Sequence, residues 1–221
     1  MVMDDETREV TLRIGDTELN ATVGVPPGAL GLVLFAHGSG SSRFSPRNRY
    51  VASVLQRGRL ATLLMDLLTS EEEAVDERTA ELRFDIPLLA ERLVGATDVA
   101  AEAIGGLSLP MGYFGASTGA AAALVAAAER PDTRAVVSRG GRPDLAGPAL
   151  RRVHAPTLLI VGGRDQVVLE LNRKAQKELA GESELLVVPG ATHLFEEPGA
   201  LESVADAALH WFLRYLPEQR P

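Results

Sequence analysis

The stretch that decides the fold is Met111-Gly112-Tyr113-Phe114-Gly115-Ala116-Ser117-Thr118-Gly119, which continues into the small-residue segment 120–129. Its first four residues predict a buried strand, and Thr118–Glu129 predicts a helix that Pro131 stops. Glycines stand two residues before and two residues after Ser117. A sharp, crowded turn needs that spacing, because only glycine leaves room there for the neighbouring backbone. The stretch therefore predicts a strand–turn–helix unit that projects the Ser117 hydroxyl from its tip.

The rest of the chain alternates short apolar runs with helical patterns. A hairpin is predicted where Gly15-Asp16 separates Val10–Ile14 from Leu19–Val25. Six further strands are predicted at Gly31–Ala36, Leu60–Met65, Met111–Phe114, Ala135–Ser138, Thr157–Val161 and Leu185–Val188. Helices are predicted at Arg49–Arg57, Asp85–Ile104, Thr118–Glu129, Val167–Leu179 and Pro198–Leu216. This alternation predicts an α/β fold, with a mostly parallel sheet, helices on both faces and ligand sites at the carboxyl ends of the strands.

Composition narrows the class of protein. The 221 residues carry no repeat, and one core holds up to roughly 250 residues, so we expect a single domain over 1–221. A net charge of −8 argues against nucleic acid as a partner, because phosphate backbones attract basic surfaces. The acidic start Met1–Val10 predicts no Sec-type signal peptide, and no run of about 18 apolar residues predicts a membrane span. With no cysteine for disulfides, a cytoplasmic location is expected.

Two further polar residues follow predicted strands and glycine turns. Asp165 stands in Val161-Gly-Gly-Arg-Asp, and His193 stands in Pro189-Gly-Ala-Thr-His. Together with Ser117 they occur in the chain order Ser, Asp, His, which is the order of the nucleophile-elbow hydrolases. A serine hydroxyl attacks a carbonyl only when a base takes its proton, and a carboxylate fixes the tautomer of that base. These residues predict a catalytic triad.

A fourth feature, His37-Gly38-Ser39-Gly40, follows the first buried strand. Glycines there let backbone amides approach an oxyanion, so we predict one oxyanion donor at the N–H of Ser39, or of its neighbour Gly38. The N–H of Thr118 is the second predicted donor. His37 either shapes this loop by hydrogen bonding or contacts the substrate.

These motifs together resemble those of the α/β-hydrolase superfamily and, within it, of the dienelactone hydrolase family. The resemblance extends from about Thr11 to Leu216. It implies an eight-stranded sheet with one antiparallel edge strand, a Ser-Asp-His triad and no cofactor. Dienelactone hydrolases typically carry a cysteine at the position of Ser117. A serine there favours ordinary ester-type acyl transfer.

The loops above the predicted sheet are short. Only 139–156 separates two strands where larger relatives insert a helical cap, so we expect no cap domain and an open site, with Leu67–Arg83 as a partial cover. Arg139 either binds an anionic substrate group or forms a salt bridge with Asp144, Asp85 or Asp66. Arg43, Arg47 and Arg49 either add positive potential at the mouth or form a solvated basic loop.

The sequence therefore predicts a serine hydrolase that cleaves small ester-type acyl substrates through an acyl-enzyme on Ser117. The expected partner is a small acyl molecule, with an anionic one as an option. No metal is expected, since metal-binding patterns such as His-Glu-x-x-His are absent. An acyltransferase or amidase using the same triad, and a non-catalytic binding protein that kept the fold, are the alternatives. The sequence leaves the oligomeric state open.

Overall fold

The computed structural model describes residues 7–217, and eight strands in them form one sheet. The first six residues of the acidic start Met1–Val10 lie outside the described range. The order across the sheet is β1-β2-β4-β3-β5-β6-β7-β8. In chain order the strands are β1 Thr7–Ile14, β2 Thr17–Gly24, β3 Leu32–Ala36, β4 Ala61–Met65, β5 Met111–Ala116, β6 Ala135–Arg139, β7 Thr157–Gly162 and β8 Ser183–Val188. The predicted α/β fold and all eight strands are confirmed.

Helices cover both faces of the sheet. They are α1 Pro46–Arg57, α2 Ser70–Thr79, α3 Ile86–Ala103, α4 Thr118–Glu129, α5 Gln166–Gln176 and α6 Ala200–Tyr215, with 3₁₀ segments at Leu82–Phe84 and Pro143–Arg152. Successive residues of a strand point to opposite faces. Leu34 therefore packs in the core beneath α3 and α4, whereas Phe35 packs in the core beneath α1 and α6. No helix among residues 7–217 is long and apolar enough to cross a membrane.

One detail of the expected topology is wrong. The antiparallel strand was expected at the edge, but it is β2, which pairs antiparallel with both β1 and β4. The reason is the hairpin itself. A tight turn at Gly15 reverses β2 relative to β1, so that β1 occupies the edge and runs in the direction of the parallel strands.

The stretch Leu67–Arg83, expected as a partial cover, contains helix α2. Thr69 accepts a hydrogen bond from the Glu72 N–H (3.2 Å), and the Glu72 carboxylate accepts one from the Thr69 N–H (2.8 Å). This reciprocal capping box stabilises the first turn. The helix has no apolar stripe and buries only Asp76, so hydrophobic periodicity could not predict it.

The turn between β5 and α4 confirms the steric role predicted for its glycines. A Cβ added at Gly119 would lie 2.3 Å from the Ala36 oxygen and 2.4 Å from the His37 oxygen. A Cβ at Gly115 would lie 2.4 Å from the Ala120 Cα. These neighbours are all backbone atoms and cannot move aside, so both positions require glycine.

We therefore expect Gly119→Ala to lower the free energy of unfolding by about 3 kcal/mol or more, the scale of severe steric mutations. Gly106→Ala is the matched control, because its φ of 83° is strained for alanine but its Cβ would meet nothing within 4 Å. That variant should lose only about 1 kcal/mol. Urea unfolding of both variants measures the difference. Equal losses would show that the close approach to Ala36 and His37 costs no more than the strained φ at Gly106, and would contradict the steric requirement for glycine at position 119.

Candidate active site

Ser117 occupies the tip of the turn in a strained backbone conformation. Its φ of 51° and ψ of −119° lie in a region that residues other than glycine rarely adopt, at a typical cost of about 1–3 kcal/mol. Three backbone hydrogen bonds hold it there. The Ser117 N–H donates to the Arg139 oxygen (3.2 Å), and the Ser117 oxygen accepts from the N–H groups of Arg142 (3.0 Å) and Ala120 (3.2 Å). Such strain is typical of a nucleophile elbow, which presents a hydroxyl above the sheet.

His193 and Asp165 form the second half of the site. The His193 Nδ1 lies 2.7 Å from the Asp165 Oδ2, and the carboxylate fixes the tautomer with the proton on Nδ1. The other carboxylate oxygen, Oδ1, accepts a hydrogen bond from the Val168 N–H (3.4 Å) and so caps α5. The two carboxylate oxygens of Asp165 thus make separate contacts, one with the first turn of α5 and one with His193.

Gly140 connects the two halves of the site. It directly follows Arg139, whose oxygen holds the Ser117 N–H, and a Cβ at Gly140 would lie 3.5 Å from the His193 Cε1. Among residues 7–217, however, no hydrogen bond joins the Ser117 hydroxyl to the His193 ring. Hydrogen bonds between catalytic groups are often long or misaligned until substrate is bound. Of the two contacts that a triad requires, the described structure contains the one between Asp165 and His193.

The predicted oxyanion donors are partly engaged. The Ser39 N–H, expected to be free for an oxyanion, donates to the Thr118 Oγ1 at 2.9 Å. Thr118 is the first residue of α4, where a backbone N–H has no acceptor within the helix. Gly38 lies against the nucleophile, since its added Cβ would be 3.0 Å from the Ser117 Cβ. The Ser39 donor becomes available only when the Thr118 hydroxyl turns away, so Ser39, Gly38 and Thr118 stay predictions.

The His37 ring is part of the scaffold in this structure. Its Nδ1 donates to the Gly38 oxygen (2.9 Å), and its Nε2 accepts from the Leu67 N–H (3.2 Å). Both nitrogens are thereby used, which leaves none for the substrate contact considered from the sequence. Burial lowers the pKa of His37, and only the neutral ring can accept from Leu67. His37 ties the oxyanion loop to the end of β4.

This environment predicts a pH effect on stability. Because the pKa of His37 is lower in the folded state, the unfolded chain binds its proton more tightly. The stabilising contribution of neutral His37 should be fully present above the unfolded pKa of about 6.5 and decline as the pH falls through it. Urea unfolding at several pH values from 8 down to 5, in wild type and His37→Gln, should show a steeper decline for wild type. Parallel curves would contradict the assignment.

Arg139 is not paired with any of the three expected carboxylates. Asp144 binds Arg142 at 2.7 Å, Asp66 binds Arg43, and Asp85 caps α3 through the Leu88 N–H (3.1 Å). The salt-bridge alternative for Arg139 is therefore wrong. Those carboxylates lie nearer to other donors, whereas the Arg139 side chain is buried at the end of β6.

The expectation of a solvated basic loop needs revision as well. Arg43 binds Glu9 and Asp66 and stacks over Phe44, and Arg47 is partly buried. Only Arg49 is exposed.

A cavity of about 150 Å³ opens beside the oxyanion loop. Its walls are the loop 37–41, Thr118, the end of β4 and the inner face of α2 with the following 3₁₀ turn. In that wall Arg83 binds the buried Asp76 at 2.6 Å, while Glu73 and Glu77 are exposed. These residues belong to the stretch Leu67–Arg83 that was expected as a partial cover, but no residue type or spacing in it singled them out.

Large apolar side chains are exposed along the same edge of the sheet. Phe44 follows the oxyanion loop, Val167 follows Asp165, and Leu194 follows His193, with exposed fractions of 51%, 74% and 40%. All three lie in segments that follow the carboxyl ends of strands. Within the described part of the chain, no three His, Asp or Glu side chains cluster as metal ligands would.

Comparison with solved structures identifies the family. A dienelactone hydrolase from Anabaena variabilis is 60% identical, and its crystal structure superimposes with a TM-score of 0.93 over 96% of this chain and 98% of that chain. This chain belongs to the dienelactone hydrolase family. Est1E from Butyrivibrio proteoclasticus shares the fold at 16% identity, with a TM-score of 0.77 over 93% of this chain and 98% of that one. No protein-family model matches the sequence.

Two longer proteins are similar in sequence to this dienelactone hydrolase family member. Two strains of Mycobacterium tuberculosis encode proteins with the provisional name phosphoribosyl transferase, each 60% identical over 209 residues. The match takes in 94% of this chain and 46% of those proteins. The chain thus spans about half the length of the curated relatives it matches.

Proposed function

We propose that this chain is a serine hydrolase that cleaves small ester-type acyl substrates, with Ser117 as nucleophile, His193 as base and Asp165 as the carboxylate that orients it. The observation that carries the proposal is the strained Ser117 turn, joined through Gly140 to the hydrogen-bonded His193–Asp165 pair. Family membership supports ester hydrolysis in general.

In the proposed reaction, Ser117 attacks the carbonyl carbon while its proton passes to the His193 Nε2. The imidazolium that forms is stabilised by Asp165 at 2.7 Å. The carbonyl oxygen becomes an oxyanion near the amides of Thr118, Ser39 and Gly38. The alcohol then leaves with the proton from His193. In the second half-reaction, water gives a proton to His193 and attacks the acyl-enzyme. The acid is released as Ser117 takes the proton back from His193.

In this structure the Ser39 N–H is occupied by its hydrogen bond to the Thr118 hydroxyl. Substrate binding would have to displace the Thr118 hydroxyl from the Ser39 N–H before that donor could serve the oxyanion. One oxyanion donor typically contributes about 10²–10³ in rate.

Two alternatives use the same residues. In acyl transfer an alcohol or amine replaces water in the second half-reaction, and in amide cleavage the leaving group is an amine. The geometry of Ser117, His193 and Asp165 is common to these reactions and does not distinguish them. The name of the mycobacterial relatives does not favour phosphoribosyl transfer here, because it was given to proteins about twice as long as the matching segment.

The experiment that tests the proposal is turnover of a panel of 4-nitrophenyl esters of graded acyl length, beside the matched anilides, with and without added alcohols. We expect ester hydrolysis, with a pre-steady-state burst of nitrophenol equal to the enzyme concentration if deacylation is slow. Ester formation with the added alcohol would indicate a transferase. No turnover of any compound would favour a binding protein and contradict the proposal.

A further inference from the structure

Asn172 is a polar residue of helix α5 that connects this helix to the turn beside Ser117. It is fully buried. Its Nδ2 donates to the Gly141 oxygen (2.9 Å) and to the Val168 oxygen (2.8 Å), which lies one turn earlier on the helix. Gly141 is buried as well, so its carbonyl oxygen needs a donor from within the protein. The Asn172 amide supplies that donor and fixes the turn to α5.

The turn 139–142, to which Asn172 binds, holds the backbone of Ser117 at two points. The Ser117 N–H donates to the Arg139 oxygen (3.2 Å), and the Ser117 oxygen accepts from the Arg142 N–H (3.0 Å). Ser117 needs this support, because its φ of 51° is strained for a residue other than glycine. A displacement of the turn would therefore move the residue that carries the proposed nucleophile.

The same turn and the same helix also lie against the other half of the proposed triad. A Cβ added to Gly140 would lie 3.2 Å from the His193 oxygen and 3.5 Å from the His193 Cε1. Asp165 is the N-cap of α5, and Asn172 follows it by about two helical turns. Asn172 therefore joins the helix that begins at the orienting carboxylate to the turn that contacts both Ser117 and His193.

Only the donor half of the Asn172 amide is used. Its Oδ1 is enclosed and has no hydrogen-bond partner among residues 7–217. An enclosed oxygen without a donor costs free energy, so the contribution of this side chain lies in the hydrogen bonds of its Nδ2. A variant that keeps the volume of the side chain and removes these donors tests that contribution.

We propose that Asn172 is a positioning residue that sets the alignment of the Ser117 hydroxyl with the His193 ring. The inference rests on the proposed function. Among residues 7–217 no hydrogen bond joins these two groups, so proton transfer between them depends on small movements of the turn that holds Ser117. A misplacement of about 1 Å in a catalytic geometry costs about 10²-fold in rate. By fixing the Gly141 carbonyl to α5, Asn172 limits such movements.

The first test compares Asn172→Leu with Thr97→Val in the hydrolysis of a 4-nitrophenyl ester. Leucine keeps the volume of the side chain but cannot donate to Gly141, so kcat should fall about 10- to 100-fold while KM stays within about twofold. Thr97→Val is the matched control, because it also removes a buried hydrogen bond, the one between the Thr97 and Tyr113 hydroxyls (2.7 Å). It should lose stability and keep kcat. Circular dichroism verifies that both variants are folded in the assay.

The second test uses Asn172→Asp, in which the hydrogen bond can be restored by pH. Aspartate has the shape of asparagine, and burial raises the pKa of a carboxyl group at such a position. The protonated acid can donate its O–H to the Gly141 oxygen, whereas the carboxylate has no proton to donate. The ratio of its kcat to that of wild type should therefore rise as the pH is lowered from 8 to 5. For Asn172→Leu the same ratio should stay constant.

The third test measures the turn without any turnover. Amide hydrogen exchange of Ser117 and Arg142 reports the two hydrogen bonds that join them to each other and to Arg139. In Asn172→Leu both amides should exchange at least about tenfold faster than in wild type, because the turn opens more often. In Thr97→Val they should exchange as in wild type. If wild type cleaves no ester but this exchange depends on Asn172, the residue orders the turn and the hydrolase assignment fails.

Any of three results would overturn the proposal. They are an Asn172→Leu variant whose kcat stays within about twofold of wild type, a loss of kcat in Thr97→Val as large as in Asn172→Leu, and unchanged exchange of the Ser117 and Arg142 amides in Asn172→Leu. If Asn172→Leu does not fold, Asn172→Asp decides, and a kcat ratio to wild type that does not change with pH overturns the proposal.

Discussion

Ser117→Ala is expected to reduce ester hydrolysis by about 10⁴- to 10⁶-fold, the loss seen when a serine nucleophile is removed. The variant should fold, because Ser117 makes only backbone hydrogen bonds in the described chain. Ser203→Ala, which removes an exposed hydroxyl on α6, is the matched control and should keep full activity.

Ser117→Gly separates the catalytic role from the cost of the turn. At φ 51° glycine is unstrained, so this variant should be inactive and yet more stable than wild type by about 1 kcal/mol. Steady-state kinetics and urea unfolding measure the two effects. Activity of Ser117→Ala within tenfold of wild type would remove Ser117 from the mechanism.

Asp165→Asn is expected to lower kcat by about 10⁴-fold, because the amide cannot hold His193 in the required tautomer or stabilise its charged form. Its stability should change little, since asparagine caps helices as well as aspartate does. Asp165→Ala should be equally inactive and also lose about 1 kcal/mol, because the cap of α5 is lost.

A helix cap outside the proposed triad provides the control for this pair. Asp85 caps α3 through the Leu88 N–H just as Asp165 caps α5 through the Val168 N–H. Asp85→Ala should therefore destabilise the protein to a similar degree and keep its activity. If Asp165→Asn stays active, the 2.7 Å contact with His193 is structural only.

The fold could be predicted from the sequence because each element carries a local signal. Buried parallel strands appear as continuous apolar runs, and the Gly115–Gly119 spacing marks a turn whose close contacts the structure displays. The bounds of α4 are those predicted. Helix α2 has no apolar periodicity because its surface is polar, and its local signal is the Thr69-x-x-Glu72 capping pattern alone.

The candidate site residues could be predicted where residue type and chain order identify them. The hydrogen bonds and ion pairs that individual side chains form could not be predicted. Ser117, Asp165 and His193 occur in a specific order, and the structure brings Asp165 and His193 into contact. Arg139 is unpaired with Asp144, Asp66 and Asp85 because each of these carboxylates binds another donor, which spacing along the chain does not determine. The Ser39–Thr118 hydrogen bond likewise depends on one hydroxyl rotamer between two loops.

The most direct measurement of the central claim is covalent labelling of the folded protein with a fluorophosphonate, followed by mass spectrometry of its peptides. We expect one adduct per chain, located on Ser117, with labelling abolished in Ser117→Ala and strongly slowed in His193→Ala. An unlabelled wild type, in a reaction where a known serine hydrolase is labelled, or an adduct on another residue would contradict the assignment of Ser117 as the nucleophile.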